Sequence, residues 1–388
     1  MGPLQGLRIV EMAGIGPAPF AGMMLADMGA EVVRIDRLQT EDLGLPEQTE
    51  AKYDVLARGR RSLGVNLKSG AGRDVVLRMI RAADGLIEGF RPGVMERLGL
   101  GPDMCLRLNP RLVYGRVTGY GQDGPMSLRA GHDINYISIG GALHAIGPAG
   151  GPPVPPLNLV GDFGGGGMLL AFGLVAAMLW AARTGDGQVV DAAMVDGTAS
   201  LMGMVQGLVA AGVWRDQRGV NILDGAAPFY RTYETKDGKY VAVGAIERRF
   251  YLELLVGLGL NREPLPDQHD RSRWPELSQR FAAVFATRTR AEWEHAFAAS
   301  DACVTPVLSI AEATEHPHNR ARRTFLERDG VPQPAPAPRF SRTSPETGEA
   351  GRAPDADSAD VLQSFGFAED EIERMVATGV IGRASRQG

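Results

Sequence analysis

The chain has 388 residues, of which 44% are hydrophobic, so it has enough apolar material for more than one folded domain. The net charge of −5 argues against general nucleic-acid binding, which requires a basic surface. Cys105 and Cys303 are far apart and lack metal-ligand spacing. They favour a reduced, cytoplasmic protein in which both thiols are structural and no metal is bound.

The beginning and the most apolar run of the chain carry no targeting or membrane signal. The opening MGPLQGLRIVEM lacks a basic segment followed by an apolar one, so we expect no signal peptide. The apolar run 168–182 is too short for a comfortable membrane span and follows several glycines. We interpret it as a buried helix and expect no membrane span.

The first 37 residues predict a βαβ unit. LRIVEM (7–12) and EVVRIDR (31–37) are typical of strands, and FAGMMLADMG between them is typical of a helix. Gly14, Gly16 and Asp36 resemble part of a dinucleotide fingerprint, but Pro19 stands where the third glycine belongs. An ordinary α/β unit is therefore the preferred interpretation.

Basic residues follow at the ends of the next predicted strands. One short strand, SLGVNL (62–67), is surrounded by several of them, and two more come after the following helix. Such a cluster is often only a solvated face. In a doubly wound fold, however, strand ends are where ligands bind, so the cluster favours a ligand with several phosphates. The residues are Arg37, Arg58, Arg60, Arg61, Lys68, Arg91 and Arg97.

The stretch 131–167 contains the residues best suited to chemistry. His132 is a side chain that exchanges protons near neutral pH, and Asp162 precedes the glycines 164–167. We expect a glycine-rich turn there that opens a helix and offers free backbone N–H groups to a developing negative charge. An acid/base pair beside such a turn is what proton abstraction next to a carbonyl requires.

Each of these features also has a simpler interpretation. His132 alone is explained by a core histidine that is hydrogen-bonded to Asp133, and Asp162 alone by a helix N-cap. The four glycines alone are explained by close packing of a helix on a strand. Their occurrence together favours a functional site.

The remaining sequence predicts further strands and helices, then an extended tether and a terminal helix. TGDGQ (184–188) is a turn before a strand and a helix, and 210–228 is a loop that joins domains. PFYRTYETKDGKYVAVGAIE (228–247) is a hairpin that turns at 236–238, and a helix begins at its end. Residues 332–358 predict an extended tether, and 359–381 predict a terminal helix.

Several motifs together resemble the class III CoA-transferase superfamily, and within it the alpha-methylacyl-CoA racemases. The resemblance runs through LRIVEMAGIGPAPFAGMMLADMGAEVVRIDR, RRSLGVNLK, RPGVMERLGLGP, GHDINY, PLNLVGDFGGGG, TGDGQVVDAAMVDG and FGFAEDEIERMVATGVI, and so covers nearly the whole chain. The combination of GHDINY with LVGDFGGGG is specific, because the transferase branch lacks this histidine.

The resemblance implies an α/β fold in two domains. A large Rossmann-like domain, which binds CoA, would comprise 1–195 and 330–388, from both chain ends. A smaller inserted α+β domain would comprise 224–315, joined by linkers at 196–223 and 316–329. Two such chains would form an interlocked homodimer with the active site at their interface.

The resemblance also assigns roles to residues. His132 and Asp162 match the two bases, and Glu247 matches an acidic residue that approaches the histidine from the partner chain. The CoA-binding region would comprise Ile15, Arg37, Arg58, Val65, Asn66, Leu67, Lys68, Arg91, Arg97 and Gly131. Its outer edge, near 39–57, varies among relatives. We expect Asp133, Tyr136 and Asn158 to orient the bases, and N–H groups near Asp162 and Gly164 to stabilise an enolate.

The function implied is epimerisation of 2-methyl-branched acyl-CoA thioesters in lipid metabolism, without a metal or redox cofactor. Two alternatives stay open. In a class III CoA-transferase, Asp162 would be the nucleophile that forms an acyl anhydride, and His132 counts against this alternative. The other alternative is a non-catalytic protein that binds a nucleotide with its N-terminal unit alone.

Overall fold

The computed structural model describes residues 2–38 and 50–382. Within it the chain divides into two compact units. The first unit contains both chain ends and comprises residues 1–140, 157–201 and 320–388. The second comprises 141–156 and 202–319, so it includes a segment, 141–156, that the sequence-based boundaries gave to the large domain.

A six-stranded parallel sheet forms the centre of the first unit. Its strands lie in the order β3-β2-β1-β4-β5-β6, so the order reverses between β1 and β4. This is the doubly wound arrangement of dinucleotide-binding folds. The strands are β1 (Arg8–Met12), β2 (Glu31–Asp36), β3 (Arg60–Gly64), β4 (Gly85–Glu88), β5 (Val113–Thr118) and β6 (Val189–Ala193).

Helices connect the strands and continue through the second unit. In chain order they are α1 (Pro17–Asp27), α2 (Gly70–Arg81), α3 (Val94–Arg97), α4 (Pro102–Leu108), α5 (Asp133–Ile139), α6 (Ala142–Ala145), α7 (Leu169–Thr184), α8 (Met194–Leu201), α9 (Gly203–Ala210), α10 (Arg248–Leu258), α11 (Trp274–Phe285), α12 (Arg290–Phe297), α13 (Ile310–Glu315), α14 (Pro317–Arg322), α15 (Ser358–Ser364) and α16 (Glu369–Ala377). A π-helix (Leu159–Met168) runs directly into α7.

Both faces of the parallel sheet are buried, because successive strand residues point to opposite sides. Val10 faces a core completed by side chains of α2, α15 and α16, such as Met79 and Leu362. Ile9, its neighbour, faces a core completed by α1 and α7, for example Leu25. The predicted α/β class, with a Rossmann-like sheet, is confirmed.

The second unit contains a three-stranded antiparallel sheet, β7 (Tyr230–Glu234), β8 (Tyr240–Gly244) and β9 (Val304–Pro306). The hairpin predicted at 228–247 is present. Its core is aromatic and lies against α10, α11 and α12; the largest fully buried side chains are Phe229, Tyr251, Phe281, Phe285 and Trp293. A further hairpin, β10 (Phe325–Arg328) and β11 (Val331–Pro334), belongs to the first unit.

Two predicted elements differ in extent. The strand expected at 62–67 is β3, which ends at Gly64 because its pairing with β2 ends at Asp36. The terminal helix expected at 359–381 is divided into α15 and α16. Gly366, whose φ of 79° is in the left-handed region, lies between them and permits the chain to turn.

The π-helix and α7 form one helical stretch, Leu159–Thr184, that is long and apolar enough by composition to cross a membrane. Half of its most apolar window is buried inside the protein. A core helix of a soluble protein has the same properties, so this stretch by itself does not indicate a membrane span.

Candidate active site

A pocket of about 520 Å³ opens at the carboxyl edge of the parallel sheet, where the strand order reverses. Ligands of doubly wound folds bind at this place, because the loops that follow the strands diverge there. Loops after β1, β4 and β5 line the pocket together with α5, the π-helix and α8. The lining residues are Ile15, Gly16, Pro17, Gly89, Phe90, Arg91, Pro92, Val117, Thr118, Gly119, Tyr120, Ser127, Arg129, Ala130, Gly131, His132, Tyr136, Asn158, Asp162 and Met194.

The glycine run beside Asp162 is a π-helix and not the predicted turn. Its glycines allow neighbouring backbones to approach closely. A Cβ at Gly165 would lie 2.9 Å from the Thr198 backbone nitrogen, and one at Gly167 would lie 2.8 Å from the Pro17 carbonyl oxygen. Close packing of this helix against α1 and α8 therefore holds Asp162 at the pocket wall. The simpler interpretation of the glycines, close packing, was correct. The elements packed against them are helices, however, where a strand was expected.

Asp162 is half-buried and accepts a hydrogen bond from Asn158 Nδ2 at 3.2 Å. Burial raises the pKa of its carboxyl above the ordinary 3.8. The Asn158 hydrogen bond opposes that shift, the charge of Asp133 adds to it, and His132 opposes it. Asp162 lies inside the π-helix, whose N-cap is Asn158, so the interpretation of Asp162 as an N-cap is wrong.

Asp133 fastens the start of the π-helix to α5. The residue is 5% exposed, and its Oδ2 accepts the backbone N–H groups of Gly161 and Asp162, both at 2.7 Å. Charged acceptors of this kind form strong hydrogen bonds. Asp133 therefore positions the backbone that carries the Asp162 carboxylate, and its predicted role of orienting a base stays a prediction.

The same contact corrects the predicted oxyanion-binding donors. The Asp162 N–H is used by Asp133, so it is not free for a substrate oxygen. Gly164 lies within the π-helix, where each N–H pairs with the carbonyl five residues earlier. Neither backbone group is the free donor that a glycine turn would have offered.

His132 is exposed at the N-cap of α5, where its own backbone N–H donates to Asn135 Oδ1 at 3.0 Å. An exposed imidazole at the pocket wall is available to a ligand. The alternative of a core histidine satisfied by Asp133 is wrong, because His132 is not buried and Asp133 Oδ2 is used by the π-helix.

Tyr136 lines the pocket, and its backbone N–H donates to the His132 carbonyl at 3.3 Å. Its hydroxyl donates to the Gly131 carbonyl, and its ring meets Tyr120 edge-on with centroids 5.0 Å apart. Burial raises the pKa of Tyr136 to about 12, so the phenol stays protonated. Its predicted role of orienting a base stays a prediction.

Gly16 is a site residue whose function the sequence did not reveal. Its φ of 70° is in the left-handed region, and a Cβ at Gly16 would lie 3.2 Å from Asp162 Oδ2. Only glycine meets both conditions readily. The partial dinucleotide fingerprint that contains Gly14 and Gly16 was the available signal, and it was interpreted as part of an ordinary α/β unit.

Three of the predicted CoA-binding residues line the pocket: Ile15, Arg91 and Gly131. Arg129, which was not predicted, lines it as well. Neither Arg91 nor Arg129 forms an ion pair within the part of the chain that the structure describes. Both guanidinium groups are therefore available to phosphate oxygens.

Arg58 does not fulfil its predicted role. It is 2% exposed, and its guanidinium binds both carboxylate oxygens of Asp27, at 3.1 and 2.6 Å. It also donates to Gln333 and to the Pro334 carbonyl. Arg58 fastens β11 to α1 and cannot reach a phosphate. Arg60 is likewise buried and paired with Glu11.

The other predicted CoA-binding residues lie outside the pocket lining. Arg37 is exposed after β2, Val65, Asn66, Leu67 and Lys68 follow β3, and Arg97 ends α3. Arg37 and residues 65–68 follow the carboxyl ends of β2 and β3. The pocket lies at this edge of the sheet. Residues 39–49, part of the predicted outer edge, lie outside the described residues.

Asp36, the acidic residue of the partial fingerprint, is already engaged. Arg34 Nε donates to both of its carboxylate oxygens at 2.9 Å, and the Ser62 hydroxyl donates to Oδ2 at 2.6 Å. A ribose would find these acceptors occupied. The structure thus weakens the nucleotide-binding alternative at this position.

Glu247 belongs to the second unit, where it is the N-cap residue of α10. Its side chain makes no capping hydrogen bond, so capping does not explain it. It is not among the residues that line the pocket. Its predicted approach to His132 from a partner chain stays a prediction.

Comparison with known proteins identifies the class to which this fold and site belong. Residues 4–357 match the family described as CoA-transferase family III. The chain therefore belongs to CoA-transferase family III.

Individual relatives narrow the comparison. The chain is 48% identical over 381 residues to the alpha-methylacyl-CoA racemase of Mus musculus, with 97% of each chain covered. It is 45% identical over 390 residues to the alpha-methylacyl-CoA racemase of Homo sapiens, again with 97% of each covered. The crystal structure of a CAIB/BAIF family protein from Brucella suis has a TM-score of 0.79 and 24% identity, covering 94% of this chain and 99% of that one, and shares the fold.

Proposed function

We propose that the protein is an isomerase that racemises 2-methyl-branched acyl-CoA thioesters. The observation that carries this proposal is the presence of His132 and Asp162 at the wall of one pocket. Two bases around one carbon suit removal of a proton from one face and its return to the other. The similarity to the two racemases supports the same reaction.

In the reaction, His132 removes the α-proton of the S epimer and Asp162 that of the R epimer. The C–H bonding electrons pass into an enolate of the thioester. The conjugate acid of the opposite base then returns a proton to the α-carbon, so the sum of atoms and charges is unchanged. Each base contributes roughly 10²- to 10⁴-fold to the rate.

The enolate oxygen needs a positive environment, which the N-terminus of α1 provides. Gly16 is the N-cap of α1 and Pro17 its first residue; both line the pocket, and a helix N-terminus carries a partial positive charge. Arg91 and Arg129 bind the CoA phosphates at the same edge of the sheet. In this proposal no metal or redox cofactor takes part, and the protein acts in the cytoplasm.

We further propose that the protein is a homodimer, interlocked as the resemblance implies. Several large apolar side chains of α7 are exposed, among them Phe172 at 73% and Trp180 at 54%. With Leu179, they recur at the spacing of one helix face. A second copy of this chain is the partner that would cover them.

The proposed reaction is tested by incubating the purified protein with one epimer of a 2-methylacyl-CoA, with and without a free carboxylic acid. In both mixtures we expect conversion to the other epimer, which chiral chromatography measures. We expect no new CoA ester. Formation of the acceptor's CoA ester without epimerisation would instead establish the transferase alternative, with Asp162 as nucleophile.

A further inference from the structure

The second unit contains two neighbouring cavities that share one arginine. Arg231, on β7, lines a cavity of about 480 Å³ and another of about 640 Å³. Asp224 and Gly225 also line both. Neither cavity contains a residue of the pocket that holds His132 and Asp162.

The smaller cavity has an excess of positive charge. Arg215, Arg231 and Arg271 line it, and none of the three is ion-paired with any residue that the structure describes. Arg271 donates to the Val213 carbonyl at 2.8 Å, and its guanidinium lies over the Trp274 ring, 5.5 Å from the centroid. Three guanidinium groups therefore share this cavity without a carboxylate partner.

The carboxylate that lines the cavity is used elsewhere. Asp224 accepts the backbone N–H groups of Val220, at 3.1 Å, and Asn221, at 2.8 Å. It also accepts from Asn221 Nδ2 at 2.9 Å. Asp224 thus stabilises its own loop, and its charge does not satisfy the hydrogen-bond donors of the arginines.

Arg231 Nε is a buried polar atom that has no hydrogen-bond partner within the described chain. Ser278 is 8% exposed and lines the cavity. Its hydroxyl interacts with the adjacent Tyr233 hydroxyl, which itself donates to the Pro228 carbonyl at 2.6 Å. Buried donors almost always have an acceptor, so Arg231 Nε points to an acceptor that is supplied by a ligand.

We propose that this cavity is a binding site for an oxyanion, a phosphate or carboxylate group of a small molecule. A guanidinium presents parallel N–H donors that match the oxygens of both groups. The volume lies within the range of small-molecule sites. The buried Trp274 forms the apolar wall beside it.

Isothermal titration calorimetry of the full-length protein tests the proposal, with phosphate, pyrophosphate and malonate as probes in a chloride buffer. We expect saturable binding of at least one probe, weakened at least tenfold by Arg231→Gln. Binding of phosphate but not malonate would assign a phosphorylated ligand, and the reverse a carboxylate ligand. Arg215→Gln, at an exposed position, is a second variant that should also weaken binding.

Two controls separate this cavity from other basic sites. Arg262→Gln removes an exposed arginine outside the cavity and should leave binding unchanged. Arg91→Gln alters the pocket of the first unit. The proposal is overturned by the absence of saturable binding, by equal binding in the wild type and both cavity variants, or by binding that only Arg91→Gln removes. Epimerisation by Arg231→Gln should equal that of the wild type.

Discussion

The Asp162 carboxyl gives the clearest pH dependence at the scale of a single residue. Its pKa is raised by burial, and a carboxylate acts as a base only when it is deprotonated. With the R epimer as substrate, kcat/KM should therefore fall as the pH is lowered, with a midpoint above 3.8. A pH profile measured with the R epimer checks this, and a midpoint at or below the ordinary value would contradict it.

Asp133→Asn should act on catalysis through Asp162. The charge of Asp133 raises the pKa of Asp162, so its removal should move the acidic limb of the profile to lower pH and weaken the base. The amide is also a poorer acceptor for the N–H groups of Gly161 and Asp162, at a cost of about 1–3 kcal/mol in stability. Urea unfolding and the pH profile measure the two effects.

The exposed Asp360 offers a matched control for this variant. Asp360→Asn should change neither the acidic limb nor the stability appreciably, since surface substitutions usually have effects within about 0.5 kcal/mol. An Asp133→Asn enzyme whose limb coincides with that of the wild type would contradict the effect of the Asp133 charge on Asp162.

At the scale of elements, the packing of the π-helix on α8 depends on glycine. A Cβ at Gly165 would meet the backbone of residues 197 and 198 at 3.1 and 2.9 Å, and backbone cannot move aside as a side chain can. Gly165→Ala should therefore destabilise the protein by about 1–3 kcal/mol. The expected readout is a lower urea midpoint together with lower kcat, because Asp162 is carried by the same helix.

Gly70→Ala is the control for that substitution. Gly70 is exposed at the start of α2, and an added Cβ would meet only the end of the Arg73 side chain, at 3.6 Å. Its urea midpoint should equal or slightly exceed that of the wild type, as Ala favours helix. If both substitutions have equal effects, the close packing at Gly165 is not what holds Asp162.

The elements differ in how far the sequence could predict them. Strands such as β1 and β5 were predictable, because short apolar runs between turn residues suit a sheet with both faces covered. The π-helix was not, since glycine favours turns locally. Only the approach of α1 and α8, distant in sequence, makes a glycine-rich helix stable there.

The same limit applies to the site residues. His132 and Asp162 were expected at one site because their features occur together in the stretch 131–167, and both line the pocket. Arg58 was misassigned because its partners, Asp27 and Gln333, lie 31 and 275 residues away. A basic cluster in a sequence cannot distinguish such buried ion pairs from free phosphate ligands.

At the scale of the whole molecule, the exposed apolar face of α7 predicts association. Light scattering should give twice the mass of the 41.4 kDa chain, and Phe172→Asp combined with Trp180→Asp should lower it towards that of a monomer. Charges buried at an interface without partners are strongly unfavourable. Ile310→Asp, at another exposed apolar position, should leave the mass unchanged. A wild-type monomer would contradict the dimer.

In the proposed reaction the enzyme removes and returns the α-proton of an acyl-CoA. The most direct measurement is NMR of the α-position after incubation of one pure epimer of a 2-methylacyl-CoA with the enzyme in deuterated water. We predict that the α-proton signal is lost to deuterium while the two epimers approach equal amounts. Retention of the α-proton and of the starting configuration would contradict the proposed racemisation.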